Sequence, residues 1–556
     1  MFSAGRISVF LHLLSIIILH SHAQNLDFQG SAAWKKDQMV QQGSYPSLLS
    51  PWLNGSRPGT QTAPSAGFVS GFPVDFSDEI IKPEQIRMPL DHSYGGTNRT
   101  FYNRYWVSDA NYLGQGHPVF VYDAGEANAE GRAVDMLGNG SSFFRRMVDD
   151  FGGIGIVWEH RYYGKSSPVK ITPMTPARDF RYLTMAQALK DVEYFATRFS
   201  RPKFPKVDLT PESTPWIFVG ASYPGNRAAW LRQYYPHVIF AAYASSAPLQ
   251  MAYRPGVYFD QIYRGMNAYG FGNCSKDMHT AILHIDKLLE DPETAATVKL
   301  MFLGPTRQTM RNEDFAAYLT RIFDKFQNYG MEKGLREFCD YMETEYTANP
   351  PLAGAQGWAP RYGPEYVVWK WASGLSKMNT PGVYNPSGIS WNWQVCTEFQ
   401  SGLVTANIGP MQLVSSFLRP QDRPSYCEAS KAYEVSTHET NQRYGGWDIR
   451  PSRTFWAGGE FDPWAPWTLF SNESAAPHPK VTSEIPECNG TRKDEIFGRV
   501  LRNSVHALDF DVSPDAAVTR KLFTDALTKW LKCFRTTKRY PKQEHGDSTW
   551  EGRPGV

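Results

Sequence analysis

The chain has 556 residues, of which 42% are hydrophobic and 14% aromatic, so it can bury one large core or several smaller ones, and disorder of the whole chain is excluded. Lys and Arg number 57 against 55 Asp and Glu, a net charge of +2, and no long block of one sign occurs. Nucleic acid is therefore not an expected partner. From the length we expect two folding units, an α/β domain and an insertion.

The N-terminus has the pattern of a cleaved signal peptide over residues 1–23. Arg6 precedes an apolar run over 9–19, and small residues precede a cut after Ala23. An uncleaved anchor is the weaker interpretation, because a spanning helix needs about 20 residues. Residues 24–75, rich in Gly, Pro, Ser and Gln, are expected to form a surface segment or a pro-segment. No later run is long and apolar enough to predict a membrane span.

Two further patterns agree with export. Six Asn-X-Ser/Thr sites are candidates for glycosylation: Asn54, Asn98, Asn139, Asn273, Asn472 and Asn489. Six cysteines lie between residues 274 and 533: Cys274, Cys339, Cys396, Cys427, Cys488 and Cys533. None has metal-ligand spacing, so disulfides are favoured, no metal or other cofactor is predicted, and of the 15 pairings we prefer Cys396 with Cys427.

The central chain predicts an α/β architecture. Five short apolar runs are expected to be buried parallel strands: His117–Val121, Gly155–Trp158, Trp216–Gly220, Val238–Tyr243 and Thr454–Ala457. Thr184 and Gln187 fit a capping box before a helix that continues to Phe199. A last helix is predicted from Ser513 to Trp530. Strands alternating with helices indicate a βαβ sheet.

A different pattern begins near residue 250. Residues 275–289 and 313–326 have helical periodicity, and no strand-and-crossover rhythm follows them until about 430. We therefore expect the following division: 76–248, first part of the α/β domain; 249–431, a mostly helical insertion; 432–535, second part of the α/β domain; 536–556, a C-terminal tail.

A strand that ends in Gly-Ala-Ser-Tyr-Pro-Gly and leads into a helix is typical of a nucleophile elbow, with Ser222 as the nucleophile. The tight turn exposes the hydroxyl to a base, and the backbone N–H of Tyr223 is the expected oxyanion donor. Pro224 stands where the G-x-S-x-G pattern has its second glycine, and Gly225 follows it. Proline is tolerated in the first turn of a helix, but it restricts Tyr223.

An acid and a base follow in the order that an α/β-hydrolase requires. Asp462 comes directly after the last predicted strand, and His506 lies in a loop before the last helix. His506 would take the Ser222 proton, and Asp462 would hold the imidazole in the required tautomer. His160 and Arg161 are interpreted as structural, because a triad base should follow the acid in this fold. A plain turn at Asp462 and a solvated loop histidine are the alternatives.

Several segments resemble the Pro-Xaa carboxypeptidase and dipeptidyl peptidase II family of serine peptidases, and within it the fungal acid prolyl endopeptidases. The resemblance runs from about residue 88 to 535 and is carried by these segments: EHRYYGKSSP, YLTMAQALKD, GASYPGNRAAW, NCSKD, WNWQVCTEF, GGWD, GGEFDPW and VHALDF. It implies an α/β-hydrolase domain with a helical cap, the triad Ser222, Asp462 and His506, and hydrolysis after proline.

The resemblance also implies where substrate would bind. Glu126, in a glycine-rich segment after the first long strand, is similar to a family glutamate near the cleft, which dipeptidyl peptidase members use for the free amine. A proline ring needs a small apolar pocket with aromatic walls, for which Trp393 and Trp464 are candidates. Core packing is the alternative role for each tryptophan.

These patterns predict a secreted, glycosylated serine peptidase that acts on proline-containing peptides or proteins, with a vacuolar or lysosomal lumen as the alternative location. An esterase or lipase with the same triad, and an inactive binding protein on the same fold, are the competing hypotheses. The sequence leaves open endopeptidase or exopeptidase action, and monomer or homodimer assembly.

Overall fold

A computed structural model describes residues 81–534 apart from 253–255, 346–351, 379–384, 400–405, 407, 419–424 and 512. The signal peptide, the 24–75 segment, the Asn54 site and the 536–556 tail lie outside the described residues.

One mixed sheet organises the described chain. Its strands are β1 Glu84–Pro89, β2 Thr100–Ser108, β3 Val119–Asp123, β4 Ile154–Trp158, β5 Trp216–Ala221, β6 Ala241–Ser245, β7 Thr454–Gly459, β8 Lys480–Thr482 and β9 Glu495–Leu501. Their order is β1-β2-β4-β3-β5-β6-β7-β9-β8. The β1–β2 and β2–β4 pairs are antiparallel, and the other pairs are parallel.

Helices cover both faces of this sheet or form the insertion. They are α1 Glu130–Ala133, α2 Phe143–Asp150, α3 Met185–Ala196, α4 Tyr223–Tyr234, α5 Val257–Ala268, α6 Gly272–Leu289, α7 Pro292–Leu303, α8 Asn312–Leu319, α9 Phe323–Gly330, α10 Arg336–Glu343, α11 Ala359–Tyr362, α12 Pro364–Met378, α13 Pro386–Gln394, α14 Thr437–Tyr444 and α15 Pro514–Phe534. A π-helical turn, Val395–Phe399, continues α13.

The central strands are buried on both faces because their side chains alternate between two cores. In β3, Val119 and Val121 join the cluster that contains α3 and α4, whereas Phe120 and Tyr122 join the cluster that contains α2 and α15. This alternation is the period of two that a pleated strand imposes. A mostly parallel sheet covered on both faces, with a helical insertion after β6, is an α/β-hydrolase fold, as the sequence predicted.

The insertion has a core of its own. Helices α5 to α10 and α12 contribute buried residues to a third apolar cluster. A disulfide between Cys274 and Cys339 joins α6 to α10. Buried Trp464, Trp467 and Val505 from the α/β part also join this cluster, so the insertion packs on the loops that follow β7 and β9.

Part of the expected 249–431 insertion packs with the sheet and not with the other insertion helices. Trp391, Trp393 and Phe399 are buried in the cluster of the sheet that contains α3 and α4, not in the helical cluster. Cys396 and Cys427 form the disulfide that the sequence favoured, and they lie in the same sheet cluster. The segment Pro386–Phe399 therefore packs as part of the α/β body.

Local predictions were confirmed in most places, with three differences. The predicted 313–326 helix is two helices, α8 and α9, joined by a 3₁₀ turn. Thr184 caps α3 by accepting from the Gln187 backbone N–H, but the side-chain amide oxygen of Gln187 accepts from the His92 backbone N–H instead of the N–H of the cap residue. Strands β1, β2, β8 and β9 were missed, and of these the edge strands β1 and β8 keep many exposed side chains and so lack an apolar run.

The export-related residues are placed at the surface or in disulfides. Cys488 and Cys533 form the third pair, and no cysteine is left free. Four described glycosylation candidates, Asn98, Asn139, Asn472 and Asn489, are exposed, and Asn273 is half-buried. Over the described residues, no helix has the length and apolarity needed to cross a bilayer.

Candidate active site

Ser222 stands alone between a strand and a helix. β5 ends at Ala221, α4 begins at Tyr223, and Ser222 has φ 65° and ψ −130°, a sparsely populated conformation for a residue with a side chain. Such strain costs about 1–3 kcal/mol and persists only where the surroundings hold it. Here the Ser222 N–H donates to the Ser245 carbonyl at 2.9 Å, and the Asn226 N–H donates to the Ser222 carbonyl at 3.1 Å.

Small residues around Ser222 are required by close backbone approaches. A Cβ on Gly220 would lie 2.2 Å from the Pro224 carbonyl oxygen, and one on Gly225 would lie 2.7 Å from the Ser245 carbonyl oxygen. Gly225, not residue 224, is therefore the position that faces β6. Pro224 occupies the first turn of α4, where its missing N–H has no intrahelical role, so the departure from G-x-S-x-G is compatible with a formed elbow.

Asp462 and His506 form a buried pair. The Nδ1 atom of His506 lies 2.9 and 3.0 Å from the two carboxylate oxygens of Asp462, and the two residues are 4% and 1% exposed. The carboxylate only accepts, so Nδ1 carries the proton and Nε2 presents its lone pair. Nε2 is buried without a hydrogen bond to any described residue. The Trp464 N–H donates to Asp462 at 2.9 Å and fixes the carboxylate.

The end of β6 connects the elbow to the histidine loop. Ser245 accepts from the Ser222 N–H, and the hydroxyl of the next residue, Ser246, accepts from the Ala507 N–H at 3.0 Å. Asp509 in the histidine loop accepts hydrogen bonds from the Tyr243 and Ser245 hydroxyls. Because β5, β6 and β7 are parallel neighbours, Ser222, Asp462 and the His506 loop meet at one edge of the sheet.

The EHRYYG segment supports the same edge through buried charges. Glu159 pairs with the Arg104 guanidinium at 2.6 Å. Arg161 donates to the Asp191 carboxylate and to backbone carbonyls that include that of Tyr182. All four charged side chains are almost completely buried, so each needs its partner.

Glu126 lies in the loop after β3, beside the elbow. The preceding Gly125 is so close to Pro224 that a Cβ would lie 2.6 Å from the proline ring. Burial raises the pKa of Glu126 to about 8, and the neighbouring Asp123 charge acts in the same direction. Arg227, which pairs with Asp123, opposes this rise in pKa. The raised pKa favours the protonated form of the Glu126 carboxyl in the free chain.

The two candidate tryptophans are already covered by protein. Trp393 is 7% exposed and stacks on Phe180 with the ring centroids 5.3 Å apart. Trp464 is 2% exposed, and its indole N–H donates to Gln327 of the helical insertion at 2.8 Å. Neither ring presents a free face in this structure, and a role in proline binding stays a prediction for both.

Sequence reasoning missed polar residues that hold this site together. Ser246 supports the histidine loop, and Gln394 donates to the hydroxyl of Tyr223. Gln394 lies within the WNWQVCTEF segment that carries the resemblance, but its contact with a residue 171 positions away has no local signal. Among the described residues, no cluster of His, Cys, Asp and Glu could hold a metal ion.

Comparison with known proteins places this chain in a family. The family described as serine carboxypeptidase S28 matches residues 88–492, a range that includes Ser222 and Asp462 and ends before His506. A probable extracellular serine carboxypeptidase of Arthroderma benhamiae is 27% identical over 68% of this chain and 58% of its own length. The match therefore spans less than two thirds of that relative.

Two mouse proteins are also similar. The thymus-specific serine protease of Mus musculus is 27% identical over 69% of this chain and 77% of its own length. The lysosomal Pro-X carboxypeptidase of Mus musculus is 24% identical over 68% of this chain and 77% of its own length.

Proposed function

Since the chain belongs to the serine carboxypeptidase S28 family, we propose that this serine peptidase cleaves on the C-terminal side of proline and uses Ser222, His506 and Asp462 as its triad. The observation that carries the proposal is the buried Asp462–His506 pair at the sheet edge where the strained Ser222 turn lies. An elbow held in a strained conformation beside an oriented imidazole is the arrangement that activates a serine hydroxyl.

In the proposed acylation step each group of the triad has a role that its contacts support. Asp462 holds His506 with the proton on Nδ1, so Nε2 takes the Ser222 proton as the hydroxyl oxygen bonds to the scissile carbonyl carbon. Nε2 has no hydrogen bond to Ser222 in the free chain, and such contacts tighten when substrate binds. His506 then returns the proton to the leaving amine, and water releases the acyl group by the same steps.

The oxyanion would be stabilised at the start of α4. Tyr223 is the first residue of this helix, so its N–H has no intrahelical acceptor and adds to the positive end of the helix dipole. The loop after β3 lies against Pro224, which is where α/β-hydrolases place a second donor. Together these groups would receive the negative charge that develops on the carbonyl oxygen.

Proline preference rests on the resemblance and on one relative. The mouse relative is named a Pro-X carboxypeptidase, and the matching segments include the elbow and the DPW turn. A substrate ammonium beside Glu126 would favour its carboxylate form, so a contact of this residue with a free amine would have to lower the raised pKa of the carboxyl.

We also propose that the protein works outside the cytosol. The predicted signal peptide, four exposed glycosylation candidates and three disulfides support an oxidising compartment. The names of the fungal and mouse relatives, extracellular and lysosomal, are compatible with secretion or with a lysosome-like lumen.

Cleavage of matched peptides tests the proposed function. A proline-containing peptide with blocked ends and the same peptide with free ends are incubated with wild type and Ser222→Ala at about pH 4 and about pH 7, and mass spectrometry identifies the cut sites. We expect wild type to cut after proline and Ser222→Ala to be inactive. Cutting of the blocked peptide identifies an endopeptidase, whereas a requirement for one free end identifies an exopeptidase and its direction.

A serine control separates chemistry from folding. Ser167→Ala removes a hydroxyl that bonds only to the Val169 carbonyl, and it should leave activity unchanged. A fluorophosphonate probe should label Ser222 in wild type and in this control. Folded wild type that neither cleaves the peptides nor accepts the probe would contradict the proposal, and hydrolysis of esters alone would favour an esterase.

A further inference from the structure

The side chain of Tyr223, whose N–H is the proposed oxyanion donor, is enclosed by one segment of the insertion. Tyr223 is 2% exposed. Its ring contacts the rings of Trp391 and Phe399, with centroids 5.8 and 5.1 Å away. Its hydroxyl oxygen lies 3.2 Å from the amide nitrogen of Gln394. All three contacts come from Pro386–Phe399, which packs in the sheet cluster rather than with the other insertion helices.

A directed chain of hydrogen bonds passes through this hydroxyl. His160 Nδ1 lies 2.7 Å from the Arg161 carbonyl, which can only accept, so Nδ1 carries a proton and Nε2 accepts from the Tyr223 hydroxyl at 3.0 Å. The Gln394 amide group donates to Tyr223, and its carbonyl accepts from the Tyr163 hydroxyl at 2.6 Å. The order of donation is therefore Tyr163, Gln394, Tyr223, His160.

This chain of hydrogen bonds is buried. His160 and Gln394 are completely buried, and Tyr163 is buried as well. Burial, assisted by the nearby Arg227 cation, lowers the pKa of His160 well below its ordinary value. The lowered pKa favours the neutral imidazole, whose Nε2 lone pair accepts from the Tyr223 hydroxyl.

The chain can affect chemistry because it controls the residue next to the nucleophile. The strained turn at Ser222 persists only if neighbouring residues hold it, and Tyr223 is the neighbour on the helix side. Displacement of the anchored Tyr223 side chain would shift its Cα, and the Tyr223 backbone N–H at the start of α4 would move with it. Electrostatic stabilisation of an oxyanion depends steeply on such placement.

We propose that Gln394 is a positioning residue for acylation. Gln394 anchors the Tyr223 hydroxyl from the insertion side, and His160 anchors the same hydroxyl from the sheet side. Together the two hydrogen bonds orient the Tyr223 backbone N–H. This inference rests on the proposed function of Ser222. According to this inference, the Pro386–Phe399 segment, which the Cys396–Cys427 disulfide holds, contributes to transition-state stabilisation and not only to substrate access.

The test compares two variants that break this chain of hydrogen bonds with a control variant that removes a buried hydroxyl outside it. Tyr223→Phe and Gln394→Met remove the anchoring bonds and keep the shape of each side chain. Tyr162→Phe is the control, because Tyr162 belongs to the same EHRYYG segment, is 1% exposed and donates only to the Asp179 carbonyl. The assays are kcat and KM on a proline peptide and the affinity for a peptidyl-proline boronic acid, whose adduct on Ser222 carries the oxyanion-like oxygen.

We expect Tyr223→Phe and Gln394→Met to lower kcat by roughly tenfold, less than the 10²–10³-fold loss of a deleted oxyanion donor, because the N–H is displaced rather than removed. KM should stay within about threefold, and boronate affinity should fall in proportion to kcat/KM. The Tyr162→Phe control should lose comparable thermal stability and keep kcat. Gln394→Glu should regain activity at about pH 4, where the new carboxyl is protonated and can again donate and accept.

The opposite results would overturn the inference. If Tyr223→Phe and Gln394→Met have the kcat and boronate affinity of the Tyr162→Phe control, or change only KM, the hydrogen bonds to Tyr223 have only a structural role. If Gln394→Met does not fold, Gln394→Glu decides the question through the presence or absence of its acid-dependent recovery. Failure of the proposed function is recognised separately, because wild type itself would then neither cleave the proline peptide nor bind the boronate.

Discussion

The contact between Gly125 and Pro224 gives a sharp test of how the elbow tolerates its proline. Gly125 has φ +67°, and a Cβ at this position would lie 2.6 Å from Cγ and 3.1 Å from Cδ of Pro224. Ordinary carbon contacts are about 3.5–4.0 Å. Gly125→Ala must therefore displace either the loop after β3 or the first turn of α4, and both border the oxyanion position.

The expected destabilisation has two parts. A left-handed conformation costs an L-residue about 1–2 kcal/mol, and forcing a methyl group into a filled space costs about 1–3 kcal/mol. Gly125→Ala should thus destabilise the fold by about 2–5 kcal/mol. In a Pro224→Ala background the ring atoms that cause the overlap are absent, so only the backbone part should remain, and the two substitutions should show a coupling of about 1–3 kcal/mol.

The measurement is a double-mutant cycle with a glycine control. Thermal midpoints of the four proteins are followed by near-ultraviolet circular dichroism at one scan rate, together with kcat/KM on the proline peptide. Gly95→Ala is the control, because Gly95 has φ +73° and open space around its would-be Cβ. It should show the backbone cost alone and unchanged activity.

Additive effects in this cycle would refute the reasoning. If the double variant loses as much stability as the two single variants together, Pro224 does not constrain Gly125. If Gly125→Ala loses no more stability than the Gly95→Ala control and keeps full activity, the loop after β3 does not lie against the elbow as the structure shows.

Two further predictions concern carboxyls with raised pKa values. Burial and the Asp277 charge raise the pKa of Glu343 in α10 to about 8, and Lys370 opposes this rise. Wild-type stability should therefore fall by up to about 1.4 kcal/mol per pH unit between about pH 4.3 and about pH 8, where the folded chain holds a proton that the unfolded chain has lost. Thermal midpoints of Glu343→Gln should follow a flatter pH profile than those of the exposed control Glu337→Gln, and equal slopes would contradict this. The pKa of Glu126 is raised to about 8. If the protonated form is the active one, Glu126→Gln should keep kcat/KM within about threefold of wild type below pH 7 and should exceed wild type only as the pH passes 8. A large loss of kcat/KM at acidic pH would show that the carboxylate is needed.

The residues of the proposed triad could be singled out from the sequence because their signals are local. Ser222 follows a buried strand and precedes a helix, and Asp462 follows another buried strand directly. Parallel strands bring their carboxyl ends to one edge, so these residues were expected to lie together before any distance was known. The disulfide between Cys396 and Cys427 was a preference among many pairings, and the structure confirmed it.

The packing of the insertion could not be predicted in the same way. The sequence predicts a mostly helical insertion over 249–431, but it does not say against which core the helix Pro386–Gln394 packs. This segment buries Trp391 and Trp393 with the sheet. Trp393 and Trp464, the candidates for a proline pocket, both contact neighbouring aromatic rings.

By itself the sequence determined the α/β architecture, the helical insertion and the order of the proposed nucleophile, acid and base, because each depends on hydrophobic period, turn residues or chain order. Only the tertiary structure decided how Tyr223 is anchored, since its partners His160 and Gln394 lie 63 and 171 residues away. Only the tertiary structure placed Glu343 beside Asp277 and Gly125 against Pro224. Hydrogen bonds and close contacts between distant residues leave no periodic pattern in a chain, so they emerge only when packing fixes which faces meet.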